Sequence, residues 1–184
     1  MPYRNTGLTV SAAVRAALVA AAAALALAPR SSAAQNPVEF GVDAGVSVRF
    51  GSPTLTAVQI PTHRLRIGFF PTARVSIEPA FGLNVLSGDG GSLTTFDFQL
   101  GLLFHAHANR AKPQVYIRPF ACVSGASGVV SGTAFEAGAG LGVKIPLQER
   151  IGTRLEAGFG HDFASSGSSG NTLSLGIGLS FFTH

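Results

Sequence analysis

The last stretch of the chain, "NTLSLGIGLSFFTH", alternates polar and apolar residues from Thr172 to Phe181. Leu173, Leu175, Ile177, Leu179 and Phe181 share one face; Thr172, Ser174, Gly176, Gly178 and Ser180 share the other. A period of two marks a β-strand with unlike faces. The same period recurs in eight segments, 38–50, 56–69, 73–86, 93–107, 114–124, 133–147, 151–163 and 172–182. No helical period competes with it. Most of these segments exceed the ~5–6 residues usual in globular sheets and reach the ~9–11 that cross a bilayer at a tilt. The second is interrupted by Pro61, which has no N–H for a ladder.

The connections alternate in kind. One set reads "GSPTL", "SGDGGS", "GASGVVSG" and "ASSGSSGN", rich in Gly and Ser; the other reads "FPT", "ANRAKP" and "PLQER", tight or carrying Pro and charge. An antiparallel up-and-down meander, with turns at one end and flexible loops at the other, produces this alternation.

Charge decides which face is inside. The polar faces carry Glu39, Asp43 and Arg49 on the first strand, Arg64 and Arg66 on the second, and Arg74 and Glu78 on the third. Asp97 follows on the fourth, Arg118 on the fifth, Glu136 and Lys144 on the sixth, and Arg154, Glu156 and Asp162 on the seventh. Seven bases therefore stand against seven acids, and the opposite faces carry no charge on any strand. Glycines alternate with these charges, although glycine is disfavoured in exposed strands. Small residues between large ones suit the taper of a narrow barrel, and balanced, Arg-rich charge suits an interior where buried ions must pair. The apolar set then faces lipid. Phe50, Phe96, Phe135 and Phe163 fall at the loop ends of their strands and Phe40, Phe69, Phe104 and Phe181 at the turn ends, as two interfacial belts require. Tyr116 and Cys122 point inward.

The N-terminus reads differently. Arg4 and Arg15 lead into "AALVAAAAALALA", followed by Pro29 and by Ser32 and Ala34 at the −3 and −1 positions of a cut before Gln35. Residues 1–34 are expected to be a cleaved secretory signal peptide and 35–184 the barrel domain. Three bases leave with the leader, so 10 Lys+Arg face nine acids and a nucleic-acid partner loses its support.

Candidate chemistry is sparse. His161 lies on the apolar face with Ser165 and Ser166 nearby, but its neighbour Asp162 points to the other face and cannot orient the imidazole. His105 and His107 share a face without a carboxylate or Cys at metal-ligand spacing. Glu136, Glu156 and Asp162 with Arg154 and Lys144 read as interior ion pairs rather than catalytic acids. "GDGGS" and "GAGLG" precede no helix and cradle no phosphate. No catalytic residue, metal or cofactor is expected.

With these faces and lengths, the chain from Val38 onward resembles the small eight-stranded bacterial outer-membrane barrels of the OmpA/OmpX type. The last strand matches that family's assembly signal, polar-x-Gly-x-x-apolar-x-aromatic, at Ser174, Gly176, Leu179 and Phe181, and continues past it with Phe182, Thr183 and His184. The resemblance implies an all-β, eight-stranded antiparallel transmembrane barrel in the outer membrane of a Gram-negative bacterium, with both termini periplasmic. Its partners would be outer-membrane lipid, the secretion apparatus and the barrel-assembly machinery. An interior just wide enough for its own side chains points to a plugged, non-enzymatic barrel with an envelope-integrity or interaction role. A narrow porin-like channel, a lipid A-modifying enzyme and a soluble lipocalin-like binder of apolar ligands are the alternatives.

Overall fold

The computed structural model describes residues 38–51, 57–59, 64–88, 91–128, 131–164 and 169–183. They form β1 (Glu39–Gly51), β2 (Ala57–Gln59), β3 (Arg64–Thr72), β4 (Val75–Gly88), β5 (Gly91–His105), β6 (Gln114–Gly128), β7 (Gly132–Gln148), β8 (Ile151–Ala164) and β9 (Gly170–Phe182). β1 pairs antiparallel with both β2 and β3, each strand from β3 to β8 pairs antiparallel with the next, and β9 pairs back onto β1 from Glu39↔Phe182 to Gly51↔Gly170, so the sheet closes. Closure leaves the barrel no free edge to solvate, which hydrocarbon would not permit.

The expected second strand, 56–69, is divided. β2 pairs with β1 at Arg49↔Ala57 and β3 pairs with it at Glu39↔Gly68, so together they are one interrupted stave of eight. Pro61 lies outside the described residues, as do residues 1–34, the expected signal peptide, and the tips of the four Gly/Ser loops. At the other end, β3–β4 and β7–β8 turn through two residues each, 73–74 and 149–150, whereas 106–113 join β5 to β6. Register slips occur at Phe69/Thr72 and Pro146/Gln148, beside Pro71 and at Pro146. A residue without an N–H cannot sustain the ladder there.

Burial follows the alternation. On β3, Arg66, Gly68 and Phe70 are buried while Leu65, Ile67 and Phe69 are exposed. Exposed large apolar side chains over the outside of the barrel retain 37–66% of their surface, whereas Glu39, Arg66 and Glu78 retain at most 2%. A water-soluble barrel needs the reverse arrangement. This one has charges inside and an apolar coat, which suits a bilayer and excludes the soluble-binder reading. Phe50, Phe96 and Phe163 at the loop end, and Phe40, Phe69, Phe104 and Phe181 at the turn end, are all exposed on that coat.

Two expectations are corrected at the turn end. Arg74 keeps the inward parity of Ser76 but sits in the 73–74 turn and is exposed, because β4 begins only at Val75. Its carbonyl accepts a hydrogen bond from the His105 N–H at 2.8 Å, so it contributes backbone and not charge to the interior. His107 likewise falls beyond the end of β5, in the 106–113 connection, where its Nε2 meets the Pro113 carbonyl at 3.0 Å. Of the residues after Phe181, Phe182 and Thr183 have a definite place, and His184 lies outside the described residues. Phe182 ends β9, and Thr183 donates its N–H to the Val38 carbonyl at 2.9 Å and accepts the Val38 N–H on Oγ1 at 2.8 Å. These two bonds continue the β1–β9 seam past the last ladder pair.

Candidate functional site in the barrel interior

Period two sends every second side chain of each strand into the lumen, and the barrel's curvature brings strands from opposite walls within reach. Near the turn end, Arg66 of β3 binds Glu39 of β1 and donates through Nε to Asp43 at 3.0 Å. Glu39 also accepts from Lys144 Nζ of β7 at 2.6 Å and from Ser180 Oγ of β9 at 2.6 Å. Lys144 reaches on to Glu78 of β4 at 2.5 Å, and Glu78 takes Arg154 Nη1 of β8 at 2.7 Å. Arg154 then donates through Nη2 to Glu156 at 2.8 Å.

The chain of contacts rises from there toward the loop end. Glu156 is held by two nitrogens of Arg118 from β6, Nε and Nη2, and accepts the Tyr116 hydroxyl at 2.8 Å. Arg118 Nη1 donates to Gln99 Oε1 at 2.8 Å, which also accepts Arg64 Nη1 at 3.3 Å, and Arg64 Nε ends the chain on Asp97 at 2.9 Å. Five acids and five bases are thereby linked through one glutamine into a single hydrogen-bonded path. Charges this buried persist only when paired and hydrogen-bonded, and the balance of signs satisfies that condition. Arg49 and Asp162 form a separate pair at 2.7 Å near the loop end. Glu136 forms no ion pair among the described residues; it lies against Gly160 and opposite Asp162 in the ladder.

The alternating glycines are the seats of these side chains. Gly41 faces Arg66, Gly82 faces Asp97, Gly142 faces Tyr116 and Gly178 faces Asp43, each as a direct ladder partner. At all four, an added Cβ would overlap the partner's polar head. The glycines therefore do more than relieve taper: they let a long side chain lie across the neighbouring strand.

Several interior residues have no counterpart among the expected charges. Gln99 and Ser180 are neutral links in the path, and counting charges alone passes over them. Phe70 is inward and 3% exposed, continuing the parity of Arg66 and Gly68 one step beyond the expected end of that strand. It stacks on His105 with centroids 6.0 Å apart, and Arg110 from the 106–113 connection lies 4.1 Å over its ring.

The remaining candidates are placed without catalytic geometry. His161 is on the outer face near the loop end, where Nδ1 pairs with Asn171 Oδ1 at 2.8 Å and the ring meets Phe163 edge-on. Asp162 is committed to Arg49 inside, and Ser165 and Ser166 lie outside the described residues. His105 Nε2 meets Ser76 Oγ at 3.1 Å, and His107 Nε2 meets the Pro113 carbonyl at 3.0 Å. Among the described residues, no three His, Cys, Asp or Glu side chains are grouped to hold a metal ion. Of the expected assembly signal, Ser174 and Gly176 line the inner face of β9, while Leu179 and Phe181 are exposed on its outer face.

No protein-family model matches the chain, and no curated protein matches it. Solved structures do. Neisserial surface protein A is 12% identical and aligns over 78% of this chain and 96% of its own, with a TM-score of 0.59. Ail, the attachment invasion locus protein of Yersinia pestis, is 12% identical over 80% of this chain and all of its own, with a TM-score of 0.52. Ail in complex with the heparin analogue sucrose octasulfate gives 0.50, at 12% identity over 79% of this chain and 98% of its own.

Proposed function

We propose that this chain, an outer-membrane β-barrel with the small eight-stranded fold, is a sealed, non-enzymatic barrel that serves envelope structure or surface interaction. The observation that carries this is the ion path from Asp43 through Lys144, Glu78, Arg154 and Arg118 to Asp97, which spans the lumen from wall to wall. An interior of eight strands has room for side chains or for a small ligand, and here side chains take it. The outer Phe and Leu surface binds lipid. Residues 1–34 would carry the chain across the inner membrane. Ser174, Gly176, Leu179 and Phe181 would then present the last strand to the barrel-assembly machinery.

An interaction role would fall to the loop end. Ail has been captured with a heparin analogue. The four Gly/Ser loops of this chain hold no Lys or Arg, so polyanion binding by charge is not the chemistry they offer. Hydroxyl and backbone contacts are.

Planar bilayers test the sealed reading. The refolded chain is expected to leave the membrane silent, and steady conductance altered by Arg154→Ala or Glu156→Ala would overturn the reading in favour of a narrow pore.

A further inference from the structure

The 106–113 connection is longer than the two-residue turns at the same end of the barrel, and longer than a hairpin needs. It is also ordered by its own bonds. At its feet, Ala106 N–H donates to the Val115 carbonyl at 2.9 Å, and Gln114 Nε2 donates to the His107 carbonyl at 2.9 Å. His107 Nε2 meets the Pro113 carbonyl, and Ala111 N–H donates to Asn109 Oδ1 at 3.0 Å. These bonds shape a loop that delivers one side chain, Arg110, to the mouth of the lumen.

What Arg110 meets there is an aromatic layer. Phe70 faces inward from β3, His105 stacks on it from β5, and Tyr116 of β6 packs against His105 with centroids 5.9 Å apart. Lys144 Nζ approaches the same Phe70 ring to 5.5 Å, so the ring serves both the interior network and the connection outside it. Behind the layer, Ser76 is fully buried and hydrogen-bonds His105.

We propose that the 106–113 connection is a strap that shuts the turn end of the lumen, with Arg110 seated on Phe70 as its closing contact. The barrel is then doubly closed, by the ion path across its middle and by the strap at its periplasmic mouth. The strap rests on the sealed-lumen reading but acts at a separate point. A guanidinium on a partly desolvated ring contributes enough to hold such a strap, yet little enough that thermal opening remains accessible.

A cysteine behind the strap reports its opening. In the Cys122→Ala background, Ser76→Cys places a thiol just inside the aromatic layer. A small methanethiosulfonate reagent applied to the refolded barrel is expected to label it slowly. Arg110→Ala and, separately, Phe70→Leu should raise that rate several-fold, up to about the tenfold that loss of such a cation–π contact allows. Each variant is first checked for folding by its unboiled gel shift. Native Cys122, level with Gln99 inside the network and 3% exposed, is the control in the otherwise unmodified chain, and its labelling should not change with Arg110→Ala. Fast labelling of Ser76→Cys with Arg110 intact, an unchanged rate without it, or a parallel rise at Cys122 would overturn the strap. Conductance by the unmodified barrel would instead overturn the sealed lumen.

Discussion

Arg154 and Glu78 meet at 2.7 Å across the full width of the barrel, from β8 and β4, strands four staves apart in a closed set of eight. Both side chains are almost wholly buried, and Glu78 is also the acid that joins Arg154 to Lys144. Glu78→Ala should therefore leave two buried cations short of a partner and destabilise the barrel by about 3–5 kcal/mol in denaturant unfolding. Asp97→Ala breaks a pair with Arg64 in which both partners reach water, and should cost under about 1 kcal/mol. Equal losses from the two substitutions would mean that the path does not hold the walls together at Glu78. Added salt should not close the gap, since a pair this deep is poorly screened.

The glycine seats make a second, steric prediction. Gly178→Ala drives a methyl into the Asp43 carboxylate, and Gly142→Ala drives one into the Tyr116 hydroxyl. Neither partner can withdraw without giving up a partly buried hydrogen bond, to Arg66 and to Glu156 respectively. Each should lose about 1–3 kcal/mol by the same unfolding assay. Gly132→Ala is the control, because nothing lies within 4 Å of a Cβ at that position. A Gly178→Ala barrel as stable as the control would remove the seat argument.

These two cases mark what could be read from residues alone. That Glu78 and Arg154 lie inside follows from period two and from the absence of charge on the opposite face. That they bind each other does not, because closure and strand stagger, not local pattern, bring together residues 76 positions apart. Glycine at alternate positions signalled a narrow interior but not which side chain each glycine receives, for the same reason. Arg74 was misplaced because parity runs on through a turn while the strand does not. Phe70 escapes the pattern because Pro71 follows it directly and reads as a turn, and Arg110 because a base in a Pro-containing turn ordinarily faces water.

The leader yields a mass prediction. If residues 1–34 are removed on export, protein extracted from outer membranes should begin at Gln35, and intact-mass measurement should find no species that retains the "AALVAAAAALALA" segment. A membrane-inserted barrel that keeps this segment would make it an anchor instead.

His161 tests the enzyme alternative. Its ring is oriented by Asn171, a neutral amide that cannot stabilise an imidazolium as a carboxylate does. Cells carrying His161→Ala should show lipid A of unchanged mass beside cells with the unmodified chain. The substitution removes an exposed hydrogen bond and an edge contact with Phe163, and should shift barrel stability by about 1 kcal/mol or less. A lipid A mass that depends on His161 would assign the barrel a catalytic surface.

Gly176 separates packing from assembly, because the folded barrel leaves room for a side chain there. The nearest atom to an added Cβ is the Ala44 carbonyl oxygen, at an ordinary 3.7 Å. Gly176→Ala should thus refold in detergent with stability within about 0.5 kcal/mol of the parent. If Ser174, Gly176, Leu179 and Phe181 are what the assembly machinery reads, the same substitution should lower the amount reaching the outer membrane in cells. Phe181→Ala, which removes an exposed ring from the lipid face at the turn end, should act in the same direction. Membrane levels that simply follow in vitro stability, with Gly176→Ala at parental abundance and Gly178→Ala depleted, would show that the last strand is selected for fit alone.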